Sequence, residues 1–170
     1  PDRVALSNLQ RQVIYTTADV GGGKTRHARE RIAALNPEVD VREHAEMITE
    51  DNARAIVAGY DLVLEGVDNF EGRYVLNRTC IDLEKPLVSA AVGRFDGQLS
   101  VFKPFARAGL PCYRCLAPEP PPREQQINCA EEGVLGPLTG VIGALAALET
   151  IKEIVGAGET LAGRLLVFDG

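Results

Sequence analysis

Residues 61–70 read Asp61-Leu62-Val63-Leu64-Glu65-Gly66-Val67-Asp68-Asn69-Phe70, and their pattern decides the fold. An aliphatic run ends in a glycine, a polar Asp-Asn pair follows, and a helical pattern then starts at Phe70 and continues to residue 83. A short central strand over 60–66 that turns into a helix is the first half of a βαβ unit. The second half is the run 86–92, Pro86-Leu87-Val88-Ser89-Ala90-Ala91-Val92, which is almost wholly apolar, as a strand covered on both faces should be.

Upstream of this unit the same alternation of elements recurs. Gly21-Gly22-Gly23 lead into a helix over 24–35 that sets Ala28, Ile32 and Leu35 on one face and stops at Asn36-Pro37. Residues 39–45 alternate like a strand. A second helix is predicted over 49–58, opened by Thr49 with Asn52 three residues on and closed by Gly59. Downstream, Arg94-Phe95-Asp96-Gly97-Gln98 sets an Asp-Gly turn between apolar flanks and predicts a hairpin running through residue 102. A long connection with six prolines covers 104–128, a helix follows over 134–155, and a last strand over 164–168 ends at Asp169. The fold class is α/β, a doubly wound, Rossmann-like and mainly parallel sheet with an added antiparallel hairpin region. Residues 1–170 form one domain. Residues 2–9 already read as a loop, so the sequence is expected to enter the fold midway.

Composition agrees with that class. In 170 residues, 45% are hydrophobic, 25% charged and only 5% aromatic, with no tryptophan, which describes an aliphatic core large enough to need no disulfides. The longest uncharged stretch, 133–148, contains Pro137 and four glycines and is shorter than the roughly 20 residues of a membrane span. A net charge of −6 argues against nucleic acid or an anionic membrane as partner. Four cysteines without a signal-like N-terminus suit a reducing cytoplasm better than a secreted disulfide framework.

Ligands of open parallel sheets sit beyond the carboxyl ends of the strands, which places Asp68-Asn69 where a site belongs. Asp68 there can hold Mg²⁺ on a triphosphate or can cap the helix that follows. Ser7-Asn8-Leu9-Gln10-Arg11-Gln12 groups hydrogen-bonding side chains around one fixed positive charge, suited to a nucleotide or to a solvated loop. Gly21–Lys24 offers backbone amides and a lysine at a helix N-terminus, without the full phosphate-loop pattern. Cys112-Tyr113-Arg114-Cys115 is half of a tetrahedral zinc site, a redox pair or two free thiols. Prolines 118–122 disfavour a helix there and so count against the redox reading. Cys129 is either an exposed, reactive thiol before a helix N-terminus or a small buried residue. Cys80 lies in a helix among apolar neighbours and reads as core. His27 and His44 read as structural or surface residues. Arg73 either occupies a helix face or pairs with the site carboxylate.

Taken in order, these motifs resemble the MoeB/ThiF family, relatives of the ubiquitin-activating enzymes. The resemblance spans residues 2–169 and rests on Ser7–Gln12, Gly21…Lys24, Asn36-Pro37, Asp68-Asn69…Arg73…Asn77, Pro86–Ser89 and Gly97-Gln98. It continues with Cys112–Leu116, Cys129…Gly133–Pro137…Gly140 and Glu149…Lys152. It implies an adenylyltransferase that uses ATP and Mg²⁺, with Asn8, Arg11 and Lys24 on the phosphates, Ser7, Leu9, Gln10 and Asn69 in the nucleotide site, and Asp68 on the metal. It further implies structural Zn²⁺ on Cys112 and Cys115, Cys129 as a thiol acceptor, and a homodimer. The implied partner is a ubiquitin-like sulfur carrier ending in Gly-Gly, of the molybdopterin-synthase or thiamin type, with a sulfurtransferase beside it. The family's Gly-rich turn would precede Pro1 and its second Cys-x-x-Cys would follow Gly170. Two other readings stand beside it, a nicotinamide-dependent oxidoreductase and a non-catalytic, zinc-stabilised binder of a ubiquitin-like tail.

Overall fold

The computed structural model describes residues 2–122 and 133–170. They divide into two compact units, Pro1–Met47 and Ile48–Gly170.

In the first unit the chain start lies against the glycine run. Val4 donates to the carbonyl of Gly22 at 2.9 Å and accepts from Gly21 N–H at 2.8 Å, and Arg3 pairs antiparallel with Gly23. Gly21 has φ 87°, a left-handed conformation open to glycine at little cost. Two single 3-10 turns, Leu6–Asn8 and Thr17–Asp19, precede helix α1, Lys24–Leu35. The helix has the predicted bounds, and Asn36 leaves it in an extended conformation before Pro37. Ala28 and Ile32 on the expected face are half-buried, whereas Leu35 is exposed. The strand predicted over 39–45 is not formed. Alternation supplies a face, but a strand also needs a neighbouring strand, and among the described residues none forms a ladder with this segment.

The second unit holds the sheet. Its elements run α2 (Ala53–Val57), β1 (Val63–Glu65), α3 (Phe70–Asp82), β2 (Leu87–Val92), β3 (Asp96–Phe102), α4 (Tyr113–Leu116), α5 (Gly136–Val155) and β4 (Leu165–Asp169). The sheet order is β1-β2-β3-β4. β1 and β2 are parallel with Leu64 opposite Val88, as the connection through α3 requires, while β3 and β4 add antiparallel neighbours. α2 is shorter than predicted. Asn52, not Thr49, is its cap, and the Asn52 side chain accepts from Thr49 N–H at 2.8 Å.

Alternate residues of β2 enter two cores. Leu87 joins Val57, Leu76, Cys80, Phe102 and Tyr113 on the face covered by α2, α3 and α4. Val88 joins Leu99, Val101 and Ala146 on the face covered by α5. Cover on both faces explains why residues 87–92 are apolar apart from Ser89. α5 presents Leu138, Ile142, Ala146 and Glu149 to the sheet at helical spacing. The Glu149 carboxylate accepts from Leu161 N–H at 2.8 Å, which fixes the return of the chain toward β4.

The hairpin turn differs from its prediction. Gly93 N–H donates to Asp96 O at 2.8 Å, so Arg94-Phe95 form the bend, and Asp96 and Gly97 already belong to β3. Gly97 is needed for another reason. A Cβ there would lie 2.4 Å from both Cγ1 and Cδ1 of Ile142, so the missing side chain is what lets α5 approach the sheet. Gly97→Ala should therefore cost about 1–3 kcal/mol in urea unfolding, and Ile142→Val in the same chain should recover part of that loss. A cost under about 0.5 kcal/mol, the range of a neutral surface change, would show that the contact does not constrain the packing.

Candidate functional site

β1 ends at Glu65, and residues 66–69 carry the chain from the strand to α3. Asn69 is the cap, its Oδ1 accepting from Gly72 N–H at 2.8 Å. The capping role expected as the alternative for Asp68 is thus filled by Asn69. Asp68 is exposed and its side chain makes no hydrogen bond to another described residue. It lines a groove of about 520 Å³ together with Asn69, Ser89, Asp96, Gln98 and Tyr113. A carboxylate without a partner among the described residues, just past the carboxyl end of a strand, has the hard oxygen donors that Mg²⁺ prefers, so the residue fits that role.

Behind the loop lies a buried polar network. Glu65 is 3% exposed, with Arg73 Nη1 3.4 Å from its Oε1; Oε2 accepts Val67 N–H at 2.9 Å and the Ser89 hydroxyl donates to Oε1. Burial holds the Glu65 carboxyl above the usual glutamate range, against the opposing pull of Arg73, Ser89 and the Val67 amide. Arg73 thus pairs with Glu65, a residue not singled out from sequence, and makes no contact with the Asp68 carboxylate. The available signal was a charge at the end of an otherwise apolar strand with an arginine eight residues on.

In the first unit, Asn8 is buried and its Oδ1 accepts from Ala5 N–H at 3.0 Å, closing the 3-10 turn. Arg11 Nη1 donates to the carbonyl of Ser7 at 3.2 Å. Gln12 Oε1 is buried without a hydrogen-bond partner among the described residues. Leu9 is half-buried, and Ser7 and Gln10 are exposed. The Lys24 ammonium is paired with the Asp2 carboxylate, and the hydrogen bond from Lys24 holds Asp2 below the usual aspartate range against a smaller effect of burial. Lys24 is the first residue of α1, whose cap residue Gly23 supplies no side chain, so the amides of that first turn carry no side-chain cap. His27 lies 3.1 Å from Asp19 and 3.3 Å from Glu30, a structural contact set.

Cys112 caps the single-turn helix α4, contrary to the expectation that the prolines disfavour a helix there; they begin only at Pro118, after the turn has ended. Tyr113 N–H donates to the buried Asn77 Oδ1 at 2.9 Å, anchoring the turn on α3. The Sγ atoms of Cys112 and Cys115 are 3.8 Å apart. Two thiolates sharing one tetrahedral Zn²⁺ with bonds near 2.3 Å lie about 3.8 Å apart, so the pair has the bite of a half-site. Among the described residues no third His, Cys, Asp or Glu completes it. Burial raises the Cys112 thiol, but hydrogen bonds from the Cys115 and Arg114 amides, the Cys115 side chain and Asn77 leave it below its usual value. Cys80, by contrast, is buried and pushed up to about 12, the behaviour of an inert core thiol. Cys129, the expected thiol acceptor, lies outside the described residues.

Comparison with known proteins places this geometry in a family. The model of the ThiF family matches residues 1–170. The adenylyltransferase and sulfurtransferase MOCS3 of Drosophila willistoni is 50% identical over 170 residues, covering 99% of this chain and 37% of that protein. The protein of the same description from Culex quinquefasciatus is 49% identical over 169 residues, covering 99% and 38%. The chain therefore spans well under half the length of the curated relatives it matches. Among solved structures, E. coli MccB with ATP superposes with a TM-score of 0.82 at 21% identity, over 99% of this chain and 51% of that one, a likeness of fold. A family model matched from end to end and relatives near half identical leave one conclusion: the chain belongs to the ThiF family.

Proposed function

We propose that the protein containing this chain adenylates the C-terminal glycine carboxylate of a ubiquitin-like sulfur carrier. The observation that carries the reading is Asp68, held at the carboxyl end of a strand and facing a groove without a partner among the described residues. Relatives near 50% identity described as adenylyltransferases support it. A carboxylate oxygen of the carrier attacks the α-phosphorus of ATP, the bond from that phosphorus to the bridging oxygen breaks, and pyrophosphate leaves with its electron pair. The products are the acyl-adenylate and pyrophosphate. No covalent bond to the enzyme forms, so Cys129 is not required for this step, and the chain contributes position and charge.

Arg11 and Lys24 hold phosphate oxygens in this reading, Lys24 exchanging the Asp2 carboxylate for a phosphate anion. Asn8 keeps the Arg11 turn closed, and Ser7, Leu9 and Gln10 border the nucleotide. Asp68 holds Mg²⁺, which when bound neutralises charge on the phosphates and on departing pyrophosphate. The groove beside Asp68 and Asn69 suits an extended Gly-Gly tail, whose lack of side chains lets its backbone lie close to the sheet. Cys112 and Cys115 hold a structural Zn²⁺ with ligands from outside the described residues. Val141, Leu148, Ile151 and Val155 form an exposed apolar stripe on the side of α5 away from the sheet, which supports a homodimer. The relatives' second described activity supports a sulfurtransferase acting on the activated carrier, of the molybdopterin-synthase or thiamin type. Free thiols at Cys80, Cys112 and Cys115 support a reducing, cytoplasmic setting.

The reading is tested by ATP–pyrophosphate exchange in the full-length protein with Gly-Gly-ending carriers from the same source. Asp68→Asn should lower metal-dependent exchange by several kcal/mol of barrier, about 100-fold or more, with an unchanged circular dichroism spectrum. Exchange at the wild-type rate in the folded variant would remove Asp68 from the reaction. For the cysteine pair, protein purified without chelator should contain about one zinc per subunit. Cys112→Ser should lose that zinc and melt earlier while changing exchange far less than Asp68→Asn does. Zinc-free wild-type protein of full stability would overturn the half-site.

A further inference from the structure

A polar cluster of the second unit surrounds a single residue, Val67, which immediately precedes Asp68. Its N–H donates to Glu65 Oε2 at 2.9 Å. Its carbonyl accepts from Arg73 twice, from Nε at 3.0 Å and Nη2 at 2.7 Å. The same Nη2 reaches Ala90 O at 3.2 Å, tying the loop to β2, and Nη1 lies 3.4 Å from Glu65 Oε1. We infer that Glu65 and Arg73 are positioning residues that clamp Val67 from both sides and so set the direction in which the Asp68 carboxylate enters the groove.

Stability alone does not account for the arrangement. Glu65 is buried at 2% exposure and Arg73 half-buried at 13%, and an ion pair so withdrawn from water is a poor source of net stability because desolvation offsets its attraction. Apolar residues of similar volume could fill the space but would leave the Val67 N–H and carbonyl without these partners. What they could not supply is direction: the peptide that joins Val67 to Asp68 has its carbonyl held by a planar fork, and the preceding amide is held by a carboxylate. Rotation about the bonds leading to Asp68 breaks one or more of these contacts. The side chain of Asp68 is left untouched by the clamp, as a group reserved for a ligand should be. Lysine cannot substitute for Arg73, because one ammonium on a flexible stem does not reproduce a fork aimed at Val67 O, Ala90 O and Glu65 together.

The inference rests on the proposed role of Asp68 as a metal-holding carboxylate, and its test separates the two. Binding of the α,β-methylene analogue of ATP to the full-length protein is measured by calorimetry with Mg²⁺ and with EDTA, for Arg73→Lys, Asp68→Asn and the double variant. Residues that orient a metal ligand typically cost 10–100-fold when changed, so Arg73→Lys should weaken binding about tenfold or more with Mg²⁺ and less than about twofold with EDTA. In the Asp68→Asn background the same change should add no more than about twofold, because residues acting through one group are not additive. Glu65→Gln, which keeps an acceptor for Val67 N–H, should show the same pattern with a smaller effect and serves if Arg73→Lys fails to fold. Equal weakening with and without Mg²⁺, or full additivity with Asp68→Asn, would make Arg73 a structural residue only. Wild-type Mg²⁺-dependent binding in Asp68→Asn alone would instead remove the metal role of Asp68 and the clamp's purpose with it.

Discussion

Strand β2 is covered on both faces, and most of the second unit follows from that constraint. Leu87 and Val88 are adjacent in sequence yet belong to different cores, one under α2, α3 and α4 and the other under α5. Each core residue of β2 therefore fixes a helix on its own side. The strand's two edges are satisfied by β1 and β3, so a slip of one residue would exchange the two cores and expose neither to water favourably. The absence of a side chain at Gly97 belongs to the same constraint, since α5 covers its face only by approaching β3 closely at Ile142.

With the faces of β2 given to the two cores, the strand ends are left for chemistry. At the carboxyl end of β1 the chain must reverse into α3, and the polar groups of that reversal would be orphaned in a low-dielectric setting without partners. Glu65, Arg73 and Ser89 supply those partners from three successive elements, and Asn69 caps the helix. Of the polar side chains at 65, 68 and 69, only that of Asp68 makes no hydrogen bond to another described residue. Selectivity here arises by subtraction.

Much of this was legible in the residues. The βαβ unit at 60–92 follows from one apolar run, one polar pair and one helical pattern, and the bounds of α1 and α3 fall within a residue of their expected positions. Elements whose existence depends on a neighbour were harder: 39–45 has the alternation of a strand but no pairing among the described residues. Asp96-Gly97 looked like a turn because glycine commonly serves turns, whereas here it serves a close helix approach that only tertiary packing reveals. At the site, Asp68 and the cysteine pair stood out by residue type and spacing. Glu65 did not, because a buried charge is recognised by its partners, and Arg73 and Ser89 lie 8 and 24 residues away in sequence.

Helix α3 links the features that sequence presented as separate motifs. Arg73 reaches back to the loop before Asp68, Tyr74 donates to Ala117 O at 3.1 Å, Asn77 accepts from Tyr113 N–H, and Leu76 and Cys80 enter the core. Residues 73, 77 and 80 fall on one face at the spacing of an α-helix. The Arg73 guanidinium also lies 5.9 Å from the Tyr113 ring centroid, and Arg114 lies 4.2 Å from that of Tyr74. The Cys112–Cys115 turn and the Asp68 loop are thus mounted on the same rigid helix, one through Asn77 and the other through Arg73. The distance between the two motifs in sequence, more than 40 residues from Asp68 to Cys112, is bridged by one turn of a helix.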